Sequence, residues 1–437
     1  MPGMTQSRNW KIFVFLLLFL AVVEFTWRGP VRIVRRAGVY SDLTGPYIGA
    51  KAWVKGLNPY SNDVFWTLWQ QSGGASSKEE ESIGSRTPYP WSCFLLLAPL
   101  SFLSWPTASM VCGLLSVGMV VLSVWLLSGL FDLSECGWRR WLFIALALAL
   151  APFHSGFGQG NLSMLAIAFV FLSFWGSCTQ RPAVAGLCCG LAACLKPPIG
   201  LFLILYYTLS RRWRVVGLAL ASTFLITVTA IGRLQAVGVP SISSYFANSK
   251  LVLTDPINQI TAANPKRFQM VNLQVLCYAV TNNERTANLL ALLIGCVALL
   301  ALVAVLLKPR QRTPRALEVS ALAVVCLLPI YHRYYDAALL TLPLLWSLSP
   351  AAANSRIYRY LTLFVMLPFL IPGAWMLESL QNANRIPSYL THWWWWDILV
   401  MAHQIWALLL LSLVLITATW NDKTPSGHLS AENSFAS

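Results

Sequence analysis

Charge is what this chain has least of: Asp, Glu, Lys and Arg make up 11% of its 437 residues, whereas 57% are hydrophobic. That balance excludes a soluble globule of this size, which needs far more polar surface. Acidic residues are the scarcer sign, 16 against 31 basic. No D-x-D motif occurs, so no metal or other cofactor is expected. Metal-ligand spacing is missing among the ten cysteines too. Cys93, Cys112, Cys194, Cys277, Cys296 and Cys326 are isolated, and Cys188 and Cys189 adjoin within an apolar stretch; they read as small membrane-core residues. An A-x-A-like exit is absent after the first apolar run, Ile12 to Trp27. Arg28, Gly29 and Pro30 follow it instead, so the run reads as an uncleaved first span and not as a signal peptide.

Apolar runs and aromatic residues are what the chain has in quantity. Twenty tryptophans and 14 tyrosines suit rings placed at lipid headgroup level. The net charge of +15 does not indicate a nucleic-acid partner, because Lys and Arg fall in short clusters between apolar runs, as topology signals do. Twelve runs read as membrane crossings: 12–27, 107–130, 141–153, 161–175, 183–195, 198–209, 215–232, 287–307, 316–331, 334–348, 358–373 and 398–419. The expected fold is an all-α polytopic bundle in one integral-membrane domain over 1–419, with a disordered tail at 420–437. The pair 183–195 and 198–209, split by Lys196, Pro197 and Pro198, is either one broken helix or a tight helical hairpin.

Basic clusters at Arg139-Arg140, Arg211 to Arg214, Lys308 to Arg315 and Arg356 to Arg359 place those loops, and the N-terminus, inside. Arg28, Arg32, Arg35 and Arg36 would then lie outside, against the rule but at the start of a long loop, where it is weak. Two outer segments, 28–106 and 233–286, are too long for connectors. The first holds an amphipathic stretch, Asp42 to Gly56, expected to lie in the membrane interface. Its middle, Ser72 to Glu81, is polar and reads as mobile. The apolar stretch Trp91 to Leu103 is too short to span and reads as re-entrant or interfacial.

This topology gathers Asp42, Tyr89, His154, Gln159, Asn161, Lys196, His332, Arg333 and Asp336 on one face. Ionisable groups near a membrane are costly and usually pair or serve a site. Asp42 is either the N-cap of the helix that follows or a general base for a hydroxyl. Lys196, before two prolines that free backbone groups, either snorkels or meets a phosphate as a point charge. In Tyr331 to Asp336, Arg333 either pairs internally with Asp336 or binds phosphate in two-pronged fashion. His154, Gln159 and Asn161 are placed in a short turn between helices, where their donors would orient a polar ligand. Trp393 to Trp396 read as an interfacial belt more readily than as a ligand platform.

Taken in order, Asp42 through Asn58-Pro59-Tyr60, Tyr89-Pro90, Gly158-Gln159-Gly160-Asn161, Lys196-Pro197 and His332 to Asp336 resemble the family 87 glycosyltransferases. The resemblance implies a GT-C-type bundle in a bacterial inner membrane, its active site facing the periplasm or cell exterior. It further implies a polyprenyl-phosphate-linked sugar donor, a hexose, mannose-like, transferred with inversion to a lipid or glycan acceptor, and Asp42 as the base. Tyr89, His154, Gln159, Asn161, Lys196, His332, Arg333 and Asp336 would then bind substrate. The polar insertion at 72–81 and the arginine-rich start of the first loop depart from the family. A transporter or flippase, or a polymerase or ligase of lipid-linked glycans, are the rival readings; the halves of the chain show none of the internal similarity that a transporter would favour.

Overall fold

The computed structural model describes residues 2–73, 87–131, 133–307, 316–349 and 355–421. Among the described residues there is no strand, only an isolated bridge between Met270 and Arg333. Each of the twelve apolar runs is helical. Five helices are long and apolar enough to cross a membrane by length and composition: Trp10–Arg35, Trp105–Ser128, Trp213–Ala236, Glu284–Leu306 and His403–Asn421. A sixth results if Gly137–Ala149 and Ala151–Gln159, bent by 43°, count as one. Five or six crossings therefore stand by this measure where the sequence predicts twelve. Punctuation accounts for the short runs, since Pro152, Pro197 and Pro198 each remove a backbone donor and start a new helix.

The first helix, Pro2–Thr26, passes through a π-helical turn, Trp27–Val31, before Arg32–Arg35. Pro30 sits within that turn; a residue without an N–H is accommodated by a wider, i to i+5 turn. One hydrophobic cluster extends from Ala21 to Ala418. Phe224 and Leu293, 70% and 60% exposed, point away from it on the two long helices Trp213–Ala236 and Glu284–Leu306, as lipid-facing residues would.

The pair split at Lys196 is a hairpin. Pro182–Leu195 and Pro197–Leu209 fold back on each other. The Cys189 Sγ lies 3.9 Å from the carbonyl oxygen of Gly200, whereas eleven residues of straight helix would separate them by about 16 Å. Farther from the tip, Ser173 Oγ donates to the Ala185 carbonyl at 2.6 Å and lies 3.1 Å from the Tyr207 hydroxyl, so both arms meet one serine. Gly186 and Gly190, at GxxxG spacing, bring the first arm against the backbone of Val215 and Ala219. At the tip, a Cβ on Gly200 would overlap the backbone nitrogen of Ala193. Gly200→Ala is expected to cost about 1–3 kcal/mol as an overpacking change that backbone cannot relieve. Thermal unfolding in detergent checks this; an unchanged midpoint would mean the tip is looser than described.

The two long segments 28–106 and 233–286 are largely helical among their described residues. Within 28–106 lie Thr44–Val54, Asn62–Gln71 and Trp91–Leu97, and within 233–286 lie Ser241–Thr254 and Leu273–Thr281. The expected surface helix after Asp42 is a correction: Tyr47, Ile48 and Trp53 are buried, and it is packed protein, not interface. Tyr47 donates to the Leu103 carbonyl at 2.7 Å and Trp53 to the Ala230 carbonyl at 2.8 Å. These contacts seal both sides of the helix. The stretch from Trp91 is not superficial, since Ser92, Cys93 and Phe94 are buried and Ser92 donates to the Cys194 carbonyl at 2.9 Å. Most of the polar segment 72–81 and of the tail 420–437 lies outside the described residues.

Candidate active site

A cavity of about 890 Å³ opens among the ends of the first helix, the hairpin tip, the segment 255–269 and the chain around Tyr331. That volume lies within the range of small-molecule sites. Of the nine residues singled out from sequence, seven line it: Asp42, Tyr89, His154, Gln159, Asn161, Lys196 and Arg333. His332 and Asp336 stand behind the wall, 1% and 0% exposed.

A continuous chain of hydrogen bonds joins these residues. Asn161 is its centre. Its Nδ2 donates to Asp42 Oδ2 and to the Tyr335 hydroxyl, both at 2.7 Å, while its Oδ1 accepts from the Ser163 backbone at 2.8 Å and Oγ at 2.7 Å. Lys196 Nζ donates to Ser163 Oγ at 2.7 Å and to both Asp336 oxygens at 2.7 and 2.9 Å. Asp336 Oδ2 also accepts from His332 Nδ1 at 3.0 Å and the Arg333 backbone at 3.3 Å. The network thus runs from the first long loop to the hairpin tip and on to the Tyr331 segment, three regions far apart in sequence.

Local sequence explains how each member is set. Asp42 is not an N-cap: the helix begins at Thr44 with no side-chain cap, and the Asp42 backbone donates instead to the Gln159 carbonyl at 2.9 Å. Its Oδ2 also takes the Tyr335 hydroxyl at 3.2 Å, while Oδ1 has no protein donor among the described residues. The expected short turn holding His154 and Gln159 is itself a helix, Ala151–Gln159, closed by Gly160 in the left-handed conformation. That ending aims Asn161 at Asp42 and starts the next helix, Ser163–Cys178. His154 Nε2 lies 2.9 Å from the Leu148 carbonyl, and the Tyr89 carbonyl accepts from the Tyr60 hydroxyl at 3.1 Å.

The internal Arg333–Asp336 pair is corrected, because Asp336 pairs with Lys196. With three N–H groups and three acceptors, Lys196 has its donors committed and its charge balanced, and the Tyr335 ring lies 5.0 Å away. Arg333 is different. It donates to Tyr331, and its Nη2 reaches the Ile257 carbonyl and Asn258 Oδ1, each at 3.3 Å, which leaves Nη1 without a partner among the described residues. Burial acts to lower the Arg333 pKa, but the Tyr331 hydroxyl that accepts from it and the nearby Asp42 carboxylate act to raise it, and the guanidinium is charged. Burial pushes the Tyr331 hydroxyl up despite the neighbouring Arg333, so it stays a neutral acceptor and donor. Ser163 and Tyr335 were not picked out from sequence as site residues; the run Gly158 to Ser163, with Gln159 and Ser163 two residues to either side of Asn161, was the available signal for the serine.

Fold and site together define an all-helical membrane protein with a polar, carboxylate-bearing cavity at one end of its bundle. A model of glycosyltransferase family 87 matches residues 87–330. This is more than half of the chain, and the protein belongs to that family of membrane glycosyltransferases. The match includes Tyr89, His154, Gln159, Asn161 and Lys196 and ends before His332. Asp42 and the segment His332 to Asp336 are tied to it by the hydrogen bonds above. No curated protein and no solved structure matches the chain.

Proposed function

We propose that the cavity transfers a hexose from a polyprenyl-phosphate carrier to a hydroxyl on a lipid or glycan, at the outer face of a bacterial inner membrane. The observation that carries this reading is the Asp42 carboxylate, fixed through one oxygen by Asn161 and Tyr335 and open at the other on the cavity wall. A carboxylate held in this way is oriented before substrate arrives, which is what a general base needs. Oδ1 takes the proton of the acceptor hydroxyl as its oxygen bonds to the anomeric carbon. The bond from that carbon to the phosphate oxygen breaks, and its electron pair leaves on the phosphate. Attack opposite the leaving group inverts the anomeric centre. Arg333, with donors still available, stabilises the departing phosphate in a site drier than bulk water. Lys196 acts by holding Ser163, Asn161 and thereby Asp42 in place, its charge matched by Asp336.

The test is transfer by the purified chain in nanodiscs. A polyprenyl-phosphate hexose should serve as donor and a nucleotide hexose should not, and the product anomer, read by NMR, should be the inverse of the donor's. Retention of configuration would sink the single displacement, and use of the nucleotide sugar alone would sink the lipid donor.

A further inference from the structure

The nine-residue helix Ala151–Gln159 holds Asp42 at its end. There the Gln159 carbonyl accepts from the Asp42 backbone at 2.9 Å, and the turn at Gly160 sets Asn161, whose Nδ2 donates to Asp42 Oδ2 at 2.7 Å. Near the start of the same helix stands His154, 3% exposed. A carbonyl oxygen only accepts, so the His154 Nε2 that lies 2.9 Å from the Leu148 carbonyl carries a hydrogen. In the neutral ring Nδ1 is then a bare lone pair. It is buried and has no hydrogen-bond partner among the described residues. What it faces is the Glu24 carboxylate of the first helix, with Oε1 3.8 Å away.

A lone pair opposite a carboxylate oxygen repels, and one added proton turns that contact into an ion pair. The proton goes to Nδ1, because Glu24 Oε1 already takes Arg28 Nε at 3.1 Å. Charge-assisted N–H···O bonds close to about 2.7–2.9 Å, so an imidazolium here would draw in by about 1 Å. Other elements packed on Ala151–Gln159 leave this pair alone. The first helix and its continuation bring Glu24 and the arginines that follow it, and Tyr334–Leu340 brings two tyrosines and Asp336. Trp105–Ser128 and Ser163–Cys178 bring one cysteine each and no charge, and Leu367–Leu370 brings no ionisable group. Asp336 is committed to Lys196 and His332; Glu24 and Arg28 are the charges that act on the His154 ring.

The neutral ring goes with the assembled site. In the structure Nδ1 and Glu24 stand farther apart than a hydrogen bond while the link from Asn161 to Asp42 is complete. Contraction of the pair would pull on the helix that holds Asp42, and misplacing a reacting group by about 1 Å costs about 10²-fold in rate. We propose that Glu24 and His154 are positioning residues that act on Asp42 through the helix Ala151–Gln159, and that uptake of a proton at His154 Nδ1 switches transfer off. The proposal rests on the transferase reading for the loss of rate, but not for the proton or for its coupling to Asn161.

The full chain in nanodiscs, with nitrogen-15 in its histidine and asparagine side chains, is titrated over the histidine range, about pH 5–8, and followed by solid-state NMR. Spectra of His154→Gln and Asn161→Asp assign the two signals, and the same preparations give kcat against pH. His154 Nδ1 should take up a proton while Nε2 keeps its own. The Asn161 side-chain resonance should move with the same midpoint, and kcat should fall toward acid with it. Since a carboxylate at this distance favours the charged imidazole, Glu24→Gln should carry the midpoints to lower pH by about one unit or more. His154→Gln should leave no step in that range in the Asn161 resonance or in kcat.

An acid fall in kcat that stays in place in Glu24→Gln belongs to another group and overturns the proposal. An Nδ1 that remains bare throughout, or an Asn161 resonance that ignores its titration, overturns it equally. If Glu24→Gln fails to fold, Glu24→Asp keeps the charge but draws it back by one methylene, and should shift the midpoints the same way by less; failure of both to fold would make Glu24 structural and overturn the proposal. Absence of transfer by the wild type at every pH would count against the transferase reading, and the two NMR midpoints would still decide whether the proton and Asn161 are coupled.

Discussion

Asp42→Asn is expected to lower kcat by about 10²–10⁴-fold, the usual worth of a general base, with little change in thermal stability. The asparagine keeps an oxygen in the place where Asn161 and Tyr335 donate, so the side-chain network stays satisfied while the basic oxygen is lost. Because the carboxylate is exposed to the cavity, its removal strands no buried charge. The measurement is transfer from a polyprenyl-phosphate hexose under saturating donor, alongside an unfolding curve. Wild-type turnover in the variant would remove Asp42 from the chemistry. A collapse of stability with activity would make it a structural residue.

The second large effect is at the buried pair. Lys196→Met leaves the buried Asp336 carboxylate without the cation that lies 2.7 Å from it, and breaking one side of such a pair costs about 3–5 kcal/mol. Asp336→Asn alone should also destabilise. Combining Lys196→Met with Asp336→Leu removes both charges and should recover most of the stability, since a well-packed apolar replacement of a buried pair is often neutral. Transfer should not recover with it, because the link from Lys196 through Ser163 to Asn161 is gone. Unfolding midpoints and kcat for the four proteins decide the matter. Recovery of turnover together with stability would show that Lys196 serves the fold alone.

How much of this was legible beforehand follows from what is local and what is not. The apolar runs and their proline breaks are local, and each became a helix. Whether a break at Pro197 kinks a helix or reverses the chain is not local, because prolines free backbone groups in either case; the close approach of Gly200 to Ala193 decides it. The site residues stood out as polar groups in apolar company, and seven of nine reached the cavity wall. Their partners did not stand out. A lysine and an aspartate 140 residues apart leave no mark of pairing in sequence, whereas Arg333, three residues from Asp336, does. Amphipathicity likewise misled at Tyr47 and Trp53, since an apolar side reads the same whether lipid or protein covers it.

The arms of the hairpin are 14 and 13 residues long, about 20 Å of helix each, against a hydrocarbon layer of about 30 Å. Leu187 and Leu201, 49% and 54% exposed, face outward from them. Were each arm to cross, as the sequence expects, a hydrophobic mismatch of that size would be met by thinning the bilayer next to the short element. The headgroup plane would then dip beside Lys196, and the lipid-linked donor proposed above would meet the cavity with its phosphate already lowered toward it, so that the shape of the membrane would do part of the work of bringing a charged group to depth.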